Sequence, residues 1–505
     1  MSEHWLEPLP DAALMRATDA WAIEERGIAS LELMERAGAG LARVVAEHVP
    51  AGRIVVVCGK GNNGGDGLVA ARLLRGAGRD VDVLALWPGE SMGEDARTML
   101  DRLPGAPPAA YDPALLLEAD GLVDALLGTG SAGAPKEPVA SAIEDVNAAR
   151  GTIVAADVPS GVDAGSGEVP GAAVRAAATA TFHRAKPGLW IAPGKAHAGA
   201  VLVIDIGIPP GAPGEVGTGL IGDAVLRDIP RRGAGSTKFS SGNVVVIGGS
   251  RGLTGAPSMA ALGAMRAGAG YVTVAAPGSL EAALAPRLLE SMLVALPEQD
   301  GAVVAAALEA AMVPVGRADA VVLGPGLGRS AGARELVGAL IGRVEVPLVI
   351  DADGLNALIG RLEDLRDRPG PTILTPHAGE LGRLLDVDSA EVGRARLRHA
   401  RAAAERARAV VVLKGDDTLV AAPSGRVAIS RGGAPALATA GSGDVLAGVT
   451  GTLLAKRLAP VHAACAAVHA HLCAGRLAAM PHGPDCVIAS DVIAALPAAL
   501  AAGSN

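Results

Sequence analysis

Residues 53 to 67 read Arg-Ile-Val-Val-Val-Cys-Gly-Lys-Gly-Asn-Asn-Gly-Gly-Asp-Gly, a β-branched apolar run that stops at a glycine-rich segment. Ile54 to Cys58 shows no polar alternation, which is the pattern of a strand buried on both faces of a parallel sheet. Leu68 to Arg75 then carries the apolar spacing of a helix. Strand, glycine loop and helix in that order form the anion-binding corner of an α/β sheet. Gly59, Gly61 and Gly64 satisfy Gly-x-Gly-x-x-Gly, which brings a dinucleotide dehydrogenase into consideration. Against it, Asp80 and Asp82 lie at the start of the next apolar run, whereas a ribose ligand belongs at a strand's end. Asn62, Asn63 and Asp66 also exceed what a pyrophosphate loop needs. Their oxygens point to a hydroxyl-rich ligand or a hard cation.

The same grammar repeats outward from this corner. Residues 11 to 25 and 30 to 48 have helical spacing, the second with Ser30 as its expected cap. Leu122 to Leu127 runs into Gly128-Thr129-Gly130, and Ile153 to Asp157 runs into Val158-Pro-Ser-Gly-Val-Asp163. Ligands of open α/β sheets bind beyond the carboxyl ends of the strands, where Asn63, Asp124 and Asp157 converge. Residues around Thr181 and from Val201 to Ile206 supply later strands.

Residues 209 to 219 are dense in Pro and Gly and read as a linker. Beyond it, strand and helix alternate again: Asn243 to Ile247, the small-residue helix Ser258 to Ala267, then Tyr271 to Ala275. Further strand ends carry Gly324-Pro-Gly-Leu-Gly328, Asp351-Ala-Asp-Gly-Leu-Asn356, Thr375-Pro-His-Ala-Gly-Glu380 and Lys414-Gly-Asp-Asp-Thr418. Near the end, Ala438 to Val449 reads Ala-Thr-Ala-Gly-Ser-Gly-Asp-Val-Leu-Ala-Gly-Val. Gly441, Ser442 and Gly443 form a turn feeding a helix, whose free N–H groups and dipole favour a phosphate or a developing oxyanion. Asp444 is unexpected there, because a carboxylate competes with an anion. The predicted fold is therefore α/β, with two three-layer α/β/α domains over residues 1–215 and 220–505.

Composition narrows the function. Lys and Arg number 44 against 53 Asp and Glu, a net charge of −9, and no long basic run exists. Nucleic acid and anionic membrane are therefore not expected as partners. No secretory signal is read at the start and no span of about 20 apolar residues free of breaks is read elsewhere. Cys58, Cys465, Cys473 and Cys486 lack CxxC spacing and read as reduced thiols in a cytoplasmic protein. Aromatic residues are only 2% of the chain, so base stacking on rings is not a main mode of ligand binding. Seven lysines stand against 37 arginines. Lys60, Lys186 and Lys414, which all fall inside the motifs, mark places where a compact charge is useful.

In the first half, Gly-Asn-Asn-Gly-Gly-Asp-Gly, Asp-Ala-Leu-Leu-Gly-Thr-Gly, Asp-Val-Pro-Ser-Gly-Val-Asp and Ala-Lys-Pro-Gly occur in the order seen in NAD(P)H-hydrate epimerases. The resemblance covers about residues 10 to 210 and implies a Rossmann-like domain. It implies that Asn62, Asn63, Gly64, Gly65 and Asp66 contact the hydrated nucleotide, together with Gly128, Thr129, Gly130, Ser131, Ala132, Gly133 and Ala134. It further implies a potassium site of Asn63, Asp124 and Ser160, with Asp157 touching substrate as the proton-transfer residue.

The second half resembles the ribokinase-like superfamily, in which the Gly-x-Gly-Asp turn holds the transferred phosphoryl and its Asp is the base. More narrowly, from about residue 222 to 500 its motifs look like those of ADP/ATP-dependent NAD(P)H-hydrate dehydratases. That resemblance implies hydrate contacts at Ala256, Gly326, His377 and Asp444. It places Lys414, Gly415, Asp416, Asp417, Thr418 and the Gly441, Ser442 and Gly443 turn on the nucleotide, with Mg²⁺ accompanying ADP or ATP. The expected protein is a bifunctional repair enzyme acting on hydrated NADH or NADPH, and by resemblance a homo-oligomer. A small-molecule kinase uses the same Asp444 turn but releases a phosphorylated product. A first domain that only senses nucleotide is the non-catalytic alternative.

Overall fold

The computed structural model describes residues 3–501. It divides into two compact units, Pro8–Gly219 and a second that runs from Leu220 and includes the residues up to Glu7.

In the first unit the strand Ile54–Cys58 is flanked by Val81–Ala85 and Gly121–Ala125. The sheet has seven parallel strands. Ala109–Ala110 lies outside Val81–Ala85, while Thr152–Ala156, Ala178–Phe182 and Ala200–Ile204 continue beyond Gly121–Ala125. The chain builds outward one way from Ile54–Cys58, then restarts on the other side with Gly121–Ala125. The reversal leaves a crevice beyond the carboxyl ends of those two neighbours. Alternation along Ile54–Cys58 feeds two separate cores: Ile54, Val56 and Cys58 join one, Val55 and Val57 the other. That is a three-layer sandwich built from a single continuous apolar run.

Two local expectations change. The helix predicted from Leu68 begins at Asn62 and runs to Gly76, so the glycine-rich motif is its first turn rather than a loop. Packing is the cause. A Cβ on Gly64 would lie 2.0 Å from the Gly59 carbonyl oxygen, and one on Gly65 would lie 2.6 Å from Met34 Sδ. Only glycine lets that turn enter between its neighbours. Ser30 is the first residue of its helix, Ser30–His48, and the cap position is Ala29, which offers no side-chain acceptor.

The second unit repeats the strand order. Asn243–Ile247 pairs with Tyr271–Pro277 on one side and Ala320–Leu323 on the other, and Met292–Leu296 lies beyond Tyr271–Pro277. From Ala320–Leu323 the parallel sheet continues through Leu348–Ile350, Thr372–Leu374 and Val410–Leu413. Leu419–Ala421 and Val427–Ile429 add antiparallel strands, and Thr218–Ile221 and Leu6–Pro8 complete eleven. The last two differ from the expected boundaries: residues 218 and 219, read as linker, begin a strand, and the first few residues belong with the second unit. Trp5 explains the latter. It is 4% exposed within that unit's core and stacks on His462 at 5.1 Å between ring centroids. The helix Pro460–His482 is long and apolar enough to cross a membrane by length and composition, which departs from the reading above. The most apolar stretch of this helix is 72% buried inside the fold, as befits a core helix. Cys58, Cys465, Cys473 and Cys486 are all free thiols.

The helix Ser442–Ala455 lies in the centre of this unit and is buried almost all round. Small residues make that possible. A Cβ on Gly448 would lie 2.0 Å from the Ala260 carbonyl oxygen, on the neighbouring helix Gly255–Arg266, and one on Gly451 would lie 2.5 Å from Val322 Cγ2. Gly448→Ala must therefore push the two helices apart. The expected cost is about 1–3 kcal/mol of unfolding free energy, measured by urea denaturation; unchanged stability would contradict this packing.

Candidate active sites

In the first unit the crevice is a cavity of about 540 Å³. Its walls include Asp19, Asn62, Asn63, Asp66, Gly128, Thr129, Gly130, Ser131, Asp157 and Lys186. Asp157 follows the strand Thr152–Ala156 in the left-handed region, at φ 64°, which aims its carboxylate inward. Its Oδ1 accepts from Lys186 Nζ at 2.5 Å, and its Oδ2 accepts from Thr129 N at 2.9 Å and Thr129 Oγ1 at 2.5 Å. Lys186 is 1% exposed, and it also donates to Thr181 Oγ1 and the Phe182 carbonyl. Burial pushes Asp157 up, but the Lys186 charge and the hydrogen bonds from Lys186 and Thr129 outweigh it and leave its pKa lowered. Asp157 is therefore a held anion.

Its neighbours behave oppositely. Burial lifts Asp19 to about 6, with Lys186 lowering it and Asp157 raising it. Burial pushes Asp66 well above the carboxylate range, and the charges of Asp157 and Asp19 add to that. The cavity thus pairs one ionised carboxylate with two that hold a proton more tightly, Asp66 well above the usual range and Asp19 up to about 6, the separation that acid–base chemistry requires.

Asp124 is the penultimate residue of the strand Gly121–Ala125 and is fully buried. Its Oδ1 accepts from Ser160 Oγ at 2.6 Å and Leu126 N at 3.2 Å, and its Oδ2 from Ser160 N at 2.8 Å. Burial raises it to about 6 against the hydrogen bonds from Ser160 and Leu126. Asn63 Nδ2 donates to the Leu127 and Ala156 carbonyls, which turns its Oδ1 inward without a hydrogen-bond partner. A buried amide oxygen without a donor, near hydroxyl and carboxylate oxygens, is a donor set that suits a hard cation. Among the described residues no group of three His, Cys, Asp or Glu could hold a metal ion.

The remaining residues expected here sit elsewhere. Gly64 and Gly65 are buried in helix packing, as above. Ala132, Gly133 and Ala134 are exposed and do not line the cavity, and Ala134 instead adjoins Gly171.

In the second unit, Lys414 follows the strand Val410–Leu413 and donates to Asp351 Oδ1 at 2.9 Å. Its Nζ lies 3.8 Å from Glu380 Oε2, and 3.3 Å from where a Cβ on Gly443 would be. One ammonium is thus held against two buried carboxylates and over the start of the helix Ser442–Ala455. Burial lowers the Lys414 pKa, but the charges of Asp351 and Glu380 outweigh it and leave it raised. Asp444, in the first turn of that helix, is lifted to about 7, first by burial and then by Asp351, with Lys414 opposing. Gly441 is the helix cap in the left-handed region, at φ 88°, and supplies no side-chain acceptor. Ser442 N donates to the Thr439 carbonyl at 3.4 Å, and Gly443 and Asp444 complete the first turn.

Beside this cluster lies a cavity of about 360 Å³. Lys414, Gly415, Asp416, Thr418, Ser442 and Gly443 line its polar side, and Leu437, Leu446, Val468 and Leu472 its apolar side. Among the described residues the one aromatic ring that lines it is the His471 imidazole, which burial pushes down to about 4 and so keeps neutral. Asp417 departs from expectation. It is 3% exposed and paired through Oδ2 to Arg396 Nε at 2.9 Å, away from the cavity. Arg396 also donates to the Leu413 and Lys414 carbonyls, so this pair fixes the segment that carries Lys414.

His377 is exposed and caps the helix Ala378–Leu385: its Nδ1 accepts from Gly379 N, and Glu380 Oε2 accepts from His377 N. Gly326, at φ 63°, meets Leu253 and Ala256, and its carbonyl accepts from Ser250 Oγ. Ala256 and Gly326 are thus neighbours at the point where the strand order reverses. The sequence motifs did not reveal Asp19, which sits on an ordinary amphipathic helix. Lys186 and Asp351 carried a signal, the scarcity of lysine and a carboxylate at a strand's end, but no role.

A family model described as NAD(P)H-hydrate dehydratase matches residues 244–498, and one described as YjeF-related protein N-terminus matches residues 30–188. The chain is 41% identical to a bifunctional NAD(P)H-hydrate repair enzyme of Salinibacter ruber, over 97% of this chain and 95% of the relative. It is 40% identical to one of Moorella thermoacetica, over 97% and 96%. Among solved structures, the ADP/ATP-dependent NAD(P)H-hydrate dehydratase of Bacillus subtilis, co-crystallised with ATP and Mg²⁺, matches at 30% identity. That match has a TM-score of 0.47 and covers 55% of this chain and 94% of that one. With relatives this similar over nearly their whole length, the chain belongs to the family of bifunctional NAD(P)H-hydrate repair enzymes, an epimerase unit joined to a dehydratase unit.

Proposed function

We propose that the second unit dehydrates the S hydrate by phosphoryl transfer from ADP or ATP, with Asp444 as the base. The supporting observation is the Lys414 ammonium, seated between Asp351 and Glu380 over the glycine start of the helix that bears Asp444. Hydroxide leaves poorly and phosphate leaves well. The ring hydroxyl attacks the terminal phosphorus, Asp444 takes its proton, and the bond to the leaving nucleotide oxygen breaks. The Gly441–Gly443 turn and Lys414 hold the transferring phosphoryl. The C–O bond to phosphate then breaks as the adjacent ring carbon loses a proton, which restores the dihydropyridine. The nucleotide lies in the aliphatic cavity beside Lys414, where Leu437, Leu446, Val468 and Leu472 replace the missing aromatic rings. Mg²⁺ carried with the nucleotide neutralises charge on its phosphates. Asp444 serves as base because it faces the acceptor hydroxyl rather than the anion.

In the first unit, the proton transfer expected of Asp157 falls better to Asp66 and Asp19, since Asp157 is held ionised with both oxygens engaged. Nitrogen next to the hydroxyl-bearing carbon expels the hydroxyl as water, with its proton supplied by Asp66 or Asp19. The planar cation is steadied by Asp157, and water returns from either face and gives the proton back. Atoms balance and only configuration changes. Asn63 Oδ1, with Asp124 and Ser160, would hold potassium and supply a fixed charge that orients the substrate. The free thiols fit a reducing cytoplasm.

The test mixes the protein with both epimers of hydrated NADPH, K⁺, Mg²⁺ and either ADP or ATP, and follows the dihydronicotinamide absorbance. Complete recovery is expected, and the faster nucleotide names the donor; a phosphorylated product that accumulates would mean a kinase. Asp444→Ala should abolish dehydration and leave epimer exchange intact, and dehydration near wild type would remove it as the base. With a native pKa of about 7, dehydration kcat/KM should fall as pH drops through that value, because the base becomes protonated. The sign for stability is opposite. A carboxyl raised from 3.8 stabilises the fold below 3.8, and that contribution is lost as pH rises through about 7. Asp444→Asn should therefore melt no lower than wild type at pH 8, which separates lost chemistry from lost folding. Asp157→Ala and Asp66→Asn should each slow epimer exchange while sparing dehydration of pure S hydrate; unchanged exchange in either refutes that residue's role.

A further inference from the structure

A second cavity in the dehydratase unit, of about 550 Å³, has no part in the chemistry above. Its walls bring together Arg329, Arg334, Arg361 and Arg383 with the carboxylates of Glu335 and Asp353 and the amide of Asn356. The cavity is organised. Asp353 Oδ2 accepts from Gly328 N at 2.9 Å, its Oδ1 accepts from Asn356 Nδ2 at 3.2 Å, and Asn356 Oδ1 accepts from Arg383 Nε at 3.2 Å. Arg329 is paired to Asp353 and Arg361 to Asp364. Among the described residues, Arg334 and Arg383 have no carboxylate within ion-pair distance; Arg334 donates only to the Arg329 carbonyl. With Arg329 and Arg361 already paired, Arg334 and Arg383 add unpaired positive charge to one concavity, which favours an anion there. Planar guanidiniums suit phosphate oxygens best.

Position identifies which anion. The cavity shares no lining residue with the nucleotide cavity beside Lys414. It adjoins the hydrate side instead. Gly328 closes the turn that contains Gly326, and Arg383 lies on the helix capped by His377, with its guanidinium 3.7 Å from where a Cβ on Gly379 would be. Asp353 is close enough to raise the pKa of Asp444. A dinucleotide whose nicotinamide ring meets Asp444 therefore has its phosphates within reach of these arginines. Resting on the dehydratase reading above, we infer that Arg329, Arg334, Arg361 and Arg383 form the subsite for the phosphate groups of the hydrated dinucleotide.

The experiment measures dehydration kinetics with NADH hydrate and NADPH hydrate for wild type, Arg383→Gln and Arg334→Gln/Arg383→Gln. Glutamine keeps most of the side-chain bulk, and melting curves check folding. The hydrate KM should rise about tenfold for each charge removed, while the nucleotide KM stays within about twofold, since that cavity shares no residue with this one. An equal rise for both hydrates assigns the arginines to the pyrophosphate, and a rise for NADPH hydrate alone assigns them to the 2′-phosphate; either supports the subsite. Unchanged hydrate KM in the folded double variant overturns it, as does a rise confined to the nucleotide KM. A wild-type protein that dehydrates neither hydrate refutes the dehydratase reading itself, which keeps the two failures distinct.

Discussion

In each unit one ammonium, buried in Lys186 and partly buried in Lys414, is held by a carboxylate at the carboxyl end of a parallel strand: Lys186 against Asp157, and Lys414 against Asp351. A charge taken from water is costly unless it is paired and its remaining protons are bonded. Lys186 meets that condition with Thr181 Oγ1 and the Phe182 carbonyl as well as Asp157, and Lys414 with Asp351 and nearby Glu380. The geometry of both sites is set by that requirement. Thr129, Gly443 and Asp444 are positioned around the pairs, and burial raises the pKa values of Asp19, Asp66 and Asp444, with neighbouring carboxylates adding to the shift and the lysines opposing it.

Both units reach this arrangement by the same topology. A parallel sheet whose strand order reverses once leaves one place where adjacent loops part. Polar side chains at strand ends can converge there without breaking the apolar layers above and below. The strand cores are almost wholly aliphatic, and small residues do the rest. Gly64 and Gly448 allow helices to approach backbone, and Gly65 and Gly451 to approach the side chains of Met34 and Val322, so closely that a methyl group would not fit. The shortage of aromatic residues is thus consistent with how both the core and the nucleotide cavity are built, from many branched and small side chains at close range.

Proton affinity divides the labour within each site. Asp157 is held ionised by Lys186 and Thr129, while Asp66 a short distance along the same cavity retains its proton; Asp444 lies near neutrality, able to release or accept one. Chemically identical side chains differ because one has a cation and two further donors and the others have mainly burial. The Arg396–Asp417 pair shows the structural counterpart. Its charges are spent on fixing a segment rather than on a ligand, although the motif that contains Asp417 reads as nucleotide-binding throughout.

The alternation of strands and helices, the two-domain α/β plan and the placing of Asn63, Asp157, Lys414 and Asp444 at strand ends and glycine turns were legible in the sequence, because unbroken apolar runs and glycine turns report local constraints. The helix start at Asn62, the adherence of Trp5 to the second unit, and the withdrawal of Gly64, Gly65, Ala132 to Ala134 and Asp417 from their cavities were not. Each depends on what lies across space from the residue, such as Met34, His462 or Arg396, far away along the chain. The same holds for Asp19 and for the four arginines, whose positions in sequence carry no periodic or motif signal. A motif states which side chains are available at a turn; burial and the partner opposite decide which way each points and whether it carries a proton.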